Sequence, residues 1–83
     1  MLTPSRLEEV AAWMKANGIA TVSGVNADYV HMSPVDLKRL APGAEPEVTT
    51  EPYRVERWST VIDGQNVIAM HLDIAAYTAH QNR

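Results

Sequence analysis

Proton transfer and metal binding would fall first to the three histidines, His31, His71 and His80. His71 and Asp73 stand two apart, so on an extended strand they share a face. A carboxylate from a neighbouring strand, such as Glu56, would complete an acid–base pair or a metal site. That spacing is not diagnostic, because a histidine facing a glutamate on a hairpin is usually an ordinary surface pair. The chain has no cysteine nucleophile, no phosphate-binding glycine loop and neither a G-x-S-x-G nor an H-E-x-x-H pattern. Ser5, Ser23, Ser33 and Ser59 have no identifiable base in the sequence, and Ser5 and Ser33 suit helix caps instead. These observations predict no catalytic residues, no metal and no cofactor.

Charge offers a second kind of chemistry. Glu45, Glu47 and Glu51 lie among prolines in a segment that could dock on a basic groove, although three acids in a linker more often serve solubility. Lys38 and Arg39 are adjacent, but no wider basic stripe extends them toward a phosphate backbone. The net charge is −3 and the sequence pI about 5.4, which opposes nucleic-acid binding. Ten acidic residues over 83 positions are equally too sparse to imitate the charge density of DNA.

The elements that must position these groups follow from length and pattern. A chain of 83 residues suits one small domain, here taken as 1–83, with a thin core. Hydrophobic residues make up 46% and charged residues 20%, a globular balance. With no cysteine to form disulfides, a partner subunit or very good packing is the remaining source of stability, so a homodimer is an expectation. The first ten residues show no basic stretch followed by an apolar core, and no window approaches a bilayer-spanning length, which predicts a soluble, cytoplasmic protein without membrane contact.

Along the chain, Thr3-Pro4 or Ser5 with Glu8 starts a helix over about residues 4 to 17, whose stripe is Leu7, Val10, Ala11 and Met14. Trp13 sits beside that stripe and is assigned to the core. Asn17-Gly18-Ile19 ends the helix. TVSGV and YVHMS around Asn26-Ala27-Asp28 predict a small hairpin. Ser33-Pro34-Val35-Asp36 opens a second helix that stops before Pro42-Gly43. Residues 41–52, rich in proline and glutamate, predict a mobile loop. Asp73 can cap a terminal helical turn over Asp73 to His80, where alanines favour helix, with continued strand as the competitor.

Residues 53–74 are the best-specified object, a long β-hairpin about Asp63-Gly64, a pair suited to a type I′ turn. A two-residue loop sets Ile62 against Gln65, Thr60 against Val67, Trp58 against Ala69, Glu56 against His71 and Arg54 against Asp73, so that charges meet opposite charges. A four-residue loop would place Glu56 against Asp73 and is disfavoured. Parity then divides the hairpin. Tyr53, Val55, Arg57, Ser59 and Val61 with Asn66, Ile68, Met70, Leu72 and Ile74 form the more apolar set and are expected to face the core. An inward Arg57 is discordant, and a position at the sheet edge would resolve it. Arg54, Glu56, Trp58, Thr60, Ile62, Val67, Ala69, His71 and Asp73 then form an outer face, with Trp58 as the anchor for a partner.

The resulting expectation is a small α+β domain of order helix, hairpin, helix, hairpin, with an antiparallel sheet packed on the N-terminal helix. Its expected role is that of a non-catalytic protein-interaction module, binding another protein through that outer face with Glu45, Glu47 and Glu51 as a secondary acidic loop. Inhibitors of larger host proteins carried by phages or other mobile elements are one subtype. A nucleic-acid-associated regulator and a homo-oligomeric structural component are the alternatives.

Overall fold

The computed structural model describes residues 2–82. Its first element is helix α1, Pro4–Ala16. The Thr3 hydroxyl accepts from the Arg6 backbone N–H at 3.1 Å, and Pro4 occupies the first helical position, where its missing donor costs nothing. At the other end Gly18 takes φ 66°, the Ile19 N–H donates to the Met14 carbonyl at 2.9 Å, and the Gly18 N–H reaches Lys15. This is the Schellman arrangement, and it turns Ile19 back into the core.

A short antiparallel hairpin follows, β1 (Gly24–Val25) and β2 (Tyr29–His31), closed by the Asn26 side chain, which accepts from the Asp28 and Tyr29 N–H groups. Helix α2, Pro34–Leu40, begins where Ser33 accepts from the Asp36 N–H at 3.2 Å. Then come β3 (Glu47–Thr49), β4 (Val55–Ile62), β5 (Gln65–Leu72) and helix α3 (Ile74–Gln81), which Asp73 caps by accepting from Ala76 at 3.0 Å.

Among the described residues the fold is thus α+β, with three helices and a five-stranded mixed sheet of order β1-β2-β5-β4-β3. Two features depart from the expected helix and hairpin order. Residues 41–52 are not all loop: Glu47, Val48 and Thr49 pair with β4 as an edge strand. The β-branched Val48-Thr49 pair favours extension, and prolines nearby are tolerable only because this strand lies at an edge. The sheet is also not purely antiparallel, because β2 joins β5 in parallel, the long crossover between them running through α2.

Within the long hairpin the expected pairing is present from Ile62 with Gln65 through Glu56 with His71. Asp63 and Gly64 take φ 49° and 77°, both left-handed, as a type I′ turn requires. Arg54 and Asp73 lie opposite each other through a backbone contact, Asp73 N–H to Arg54 carbonyl at 3.5 Å. Their side chains go elsewhere, Arg54 to Glu56 at 3.7 Å and Asp73 to its capping role.

Helix α1 meets the sheet through Val10 and Trp13 with Met14 packed alongside, so the expected stripe is kept only in part: Leu7 is left 49% exposed and Ala11 is exposed as well. Trp13 offers more apolar area than Leu7 or Ala11, and its indole N–H donates to the Ile62 carbonyl at 2.8 Å in a buried setting. Arg6 works beside it: Nε donates to the Asn26 carbonyl at 3.0 Å and Nη1 to the buried Gln65 side chain at 2.8 Å. One arginine therefore ties α1 to the β1–β2 turn and to the start of β5.

Gly18 tests the helix stop separately from packing. Nothing lies within 4 Å of a Cβ added there or at Gly43, but only Gly18 has positive φ. Gly18→Ala should cost about 1–2 kcal/mol in urea unfolding through backbone strain alone, whereas Gly43→Ala should leave the midpoint unchanged or slightly raised.

Candidate interaction surface

Period-two alternation assigns every hairpin side chain to one of two faces, and α1 and α2 both cover the same one. Trp58 is 2% exposed and Val67 fully buried; Ala69 and Ile62 join them in a cluster with Val10, Trp13, Val30, Met32 and Leu37. Lys38 of α2 lies over the Trp58 ring, its Nζ 4.8 Å from the centroid. The face expected to meet a partner is therefore the core, and the expected core face is the one that lacks a helical cover.

This reverses the anchor role given to Trp58, Ile62, Val67 and Ala69. The physical reason is the cost of Arg57. It belongs to the opposite set together with Ser59 and Asn66, and burying an unpaired guanidinium costs far more than exposing a methionine. Arg57 is exposed on β4, an interior strand, so it is the open face and not a sheet edge that accommodates it. Of the remaining expected contact residues, Thr60 is half-buried on the core side. Arg54, Glu56, His71 and Asp73 stand at the open end of the hairpin, where the core thins out. His71 faces Glu56 across the strands, but the Asp73 carboxylate is engaged with α3. Among the described residues no three of His, Asp and Glu approach closely enough to hold a metal ion.

The helix-free face can be read row by row from the register. Tyr29, Asn66 and Val61 share one row; His31, Ile68 and Ser59 the next; Met70, Arg57 and Glu47 the third; Leu72, Val55 and Thr49 the fourth. Val61 is 60% and Met70 52% exposed, and Val55 and Leu72 are only half-covered. Beyond the last row Tyr53 packs edge-on against Tyr77 of α3, with centroids 5.4 Å apart, and His80 lies alongside at 5.7 Å. Tyr77 and Ile74 continue the exposed apolar surface onto that helix.

Glu45 and Glu47 come to the same face. With Arg57 and Ser59 they line an open recess of about 290 Å³, and a neighbouring recess of about 230 Å³ runs between Glu47, Thr49, Val55, Arg57 and Met70. Among the described residues the ion pairs are Arg6–Glu9, Arg39–Asp36 and Arg54–Glu56; Arg57 makes none of these but stands directly opposite Glu47 across β3 and β4 and shares the first recess with Glu45. Glu51 is exposed in the turn after β3 and does not line these recesses. Arg57, Ser59, Val61, Asn66, Met70 and Ile74 are exposed although the sequence reading placed them inside, whereas Ile68 of the same set is buried. The signal that could have found them is the polar trio Arg57, Ser59 and Asn66, set against a second face with no charge between Trp58 and Ala69.

Comparisons of this chain with protein-family models, with curated proteins and with solved structures produced no match. Among the described residues no helix is long and apolar enough to cross a membrane.

The face assignment has a direct thermodynamic consequence. Trp58→Ala should cost about 3–5 kcal/mol in chemical denaturation followed by circular dichroism, comparable to the whole stability of a domain this small. Met70→Ala, on the open face, should change stability by less than about 0.5 kcal/mol.

Proposed function

We propose that this chain is a non-catalytic protein-interaction module whose contact surface is the helix-free face of its sheet. The observation that carries the reading is the exposure of Val61 and Met70 on a sheet face with no helical layer above it. An antiparallel hairpin with one solvated face ordinarily alternates apolar-in and polar-out. Here the solvated side keeps Val61 and Met70 exposed and Val55 and Leu72 half-covered around a buried Ile68, an apolar set characteristic of a surface that is covered part of the time.

Chemistry at the rim favours protein as the partner class. Glu45 and Glu47 flank the apolar rows and would repel a phosphate backbone, while Arg57 among them supplies the kind of side chain that anchors protein interfaces. The recesses are open and lined by acids, a serine and an arginine, an arrangement suited to receiving side chains from a docked surface. Neither of these two recesses is lined by a histidine.

The proposal separates the two sides of the molecule experimentally. Tagged wild type, a Val61→Glu, Met70→Glu double variant and a Val35→Glu control should be compared by quantitative co-purification from the native cell extract, each verified as folded. Val35 is 77% exposed on α2, away from the open face. The double variant should lose at least about tenfold of the bound protein, untagged copies of the chain included, and the control should retain it. Equal recovery by all three would refute the reading.

A further inference from the structure

We infer that helix α3 is a releasable flap, latched to the hairpin by the Tyr53 ring and opening while the rest of the fold stays intact. The helix runs eight residues, Ile74–Gln81, and buries none of them. Within it Ala76 alone is half-covered. Isolated helices shorter than about 12–15 residues are marginal in water, so a helix of this length depends on its cap and on its contacts. The cap is present, with Asp73 accepting from the Ala76 N–H at 3.0 Å, and the alanines favour the helical state. What the helix lacks is an anchor.

Comparison with α2 isolates the cause. That helix is one residue shorter, yet its Leu37 is fully buried, Leu40 packs against the core and Lys38 lies over Trp58. Helix α1 is held in the same way by Val10 and Trp13. Among the described residues α3 makes two ring contacts to the rest of the chain, and both fall on one side chain: Tyr53 meets Tyr77 edge-on at 5.4 Å and His80 at 5.7 Å. No side-chain hydrogen bond or ion pair among the described residues joins α3 to the sheet. Ile74 and Tyr77, its largest apolar groups, remain 67% and 37% exposed. One edge-on aromatic pair contributes far less than the burial of a core leucine, so α3 can leave without disturbing the core.

The place of the hinge follows from the chain. Strand β5 ends at Leu72, and Asp73 is the single extended residue between it and the helix, with φ −71° and ψ 102°. Rotation there leaves Val55 paired with Leu72 and the sheet register unchanged. Tyr53 lies just beyond that row and is half-buried while α3 is docked. Release frees its ring, so the helix-free face gains an aromatic side chain next to Val55 and Leu72. The release itself stands on the contacts of α3 alone; its bearing on a contact surface rests on the interaction reading above.

Amide hydrogen exchange of the full chain, followed residue by residue by nuclear magnetic resonance and taken relative to intrinsic rates, tests the inference. The amides of Thr78 to Gln81 should exchange at least about tenfold faster than those of α2 and β5, because they open locally while the others open with the core. Tyr77→Ala should speed exchange in α3 by about threefold or more through loss of the ring contact, although alanine is the better helix former, and should leave β5 unchanged. Ile74→Ala, which removes a side chain 67% exposed on the same helix, should not speed it. Exchange in α3 as slow as in α2 or β5, or no acceleration by Tyr77→Ala, would overturn the inference. Both outcomes leave the interaction reading standing, since the Val61→Glu, Met70→Glu comparison decides that separately. A flap that opens as described, in a chain whose co-purified proteins that double variant still retains, removes the interaction reading and keeps the flap.

Discussion

The two-residue turn at Asp63-Gly64 is the constraint on which the rest of this structure depends. Because both residues adopt left-handed φ, β4 and β5 are locked in one register, and a strand's side chains alternate with a period of two. Once Trp58 faces Ala69, every other hairpin residue is committed to a side. A slip of one residue would bring Arg57 and Ser59 beneath the helices and expel Trp58 and Val67. The turn sets the parity, and burial of Trp58 under Leu37 and Lys38 of α2 decides which parity is inside.

Around that choice the buried polar groups are held together at one end of the sheet. Gln65 begins β5, and its amide donates to the Asn66 carbonyl at 2.7 Å while its oxygen accepts from Arg6. Arg6 in turn holds the β1–β2 turn through Asn26. A buried glutamine without these partners would cost on the order of 1–3 kcal/mol. The same contacts make α1, β1–β2 and the long hairpin mutually dependent, so that a helix touching the sheet through few side chains is still fixed in angle.

Local signals were legible in the sequence where a few adjacent residues settle the conformation. Thr3-Pro4, Ser33-Pro34 and Asp73 cap their helices, Gly18 ends α1, and Asp63-Gly64 closes the hairpin in the expected register. What could not be read locally was the meeting of distant segments. The parallel joint between β2 and β5 links residues more than thirty-five apart in the chain, and nothing in either strand announces a direction of pairing. Strand β3 was masked by its prolines and glutamates, whose composition also suits an edge. The inverted face is the instructive error: Met70, Leu72 and Ile74 raised the apparent apolarity of one side, but that side also carries Arg57, Ser59 and Asn66, whereas Trp58, Val67 and Ala69 present α2 with a surface free of charge. The cost of burying one guanidinium outweighed the number of apolar residues.

The same distribution of charge bears on how the sheet could grow. Its β3 edge is three residues long, entirely exposed, and bracketed by Pro46 and Pro52 with glutamates at positions 45, 47 and 51. Short length, proline and charge are the devices by which natural sheets discourage the addition of another strand. The β1 edge is shorter still, only two residues. Extension within the plane of the sheet is thus opposed at both ends. Perpendicular to that plane nothing comparable stands in the way, since the open face offers half-covered valines and leucine around a single arginine. A partner docking as proposed would therefore approach along the sheet normal, with little hydrogen bonding to an unpaired strand.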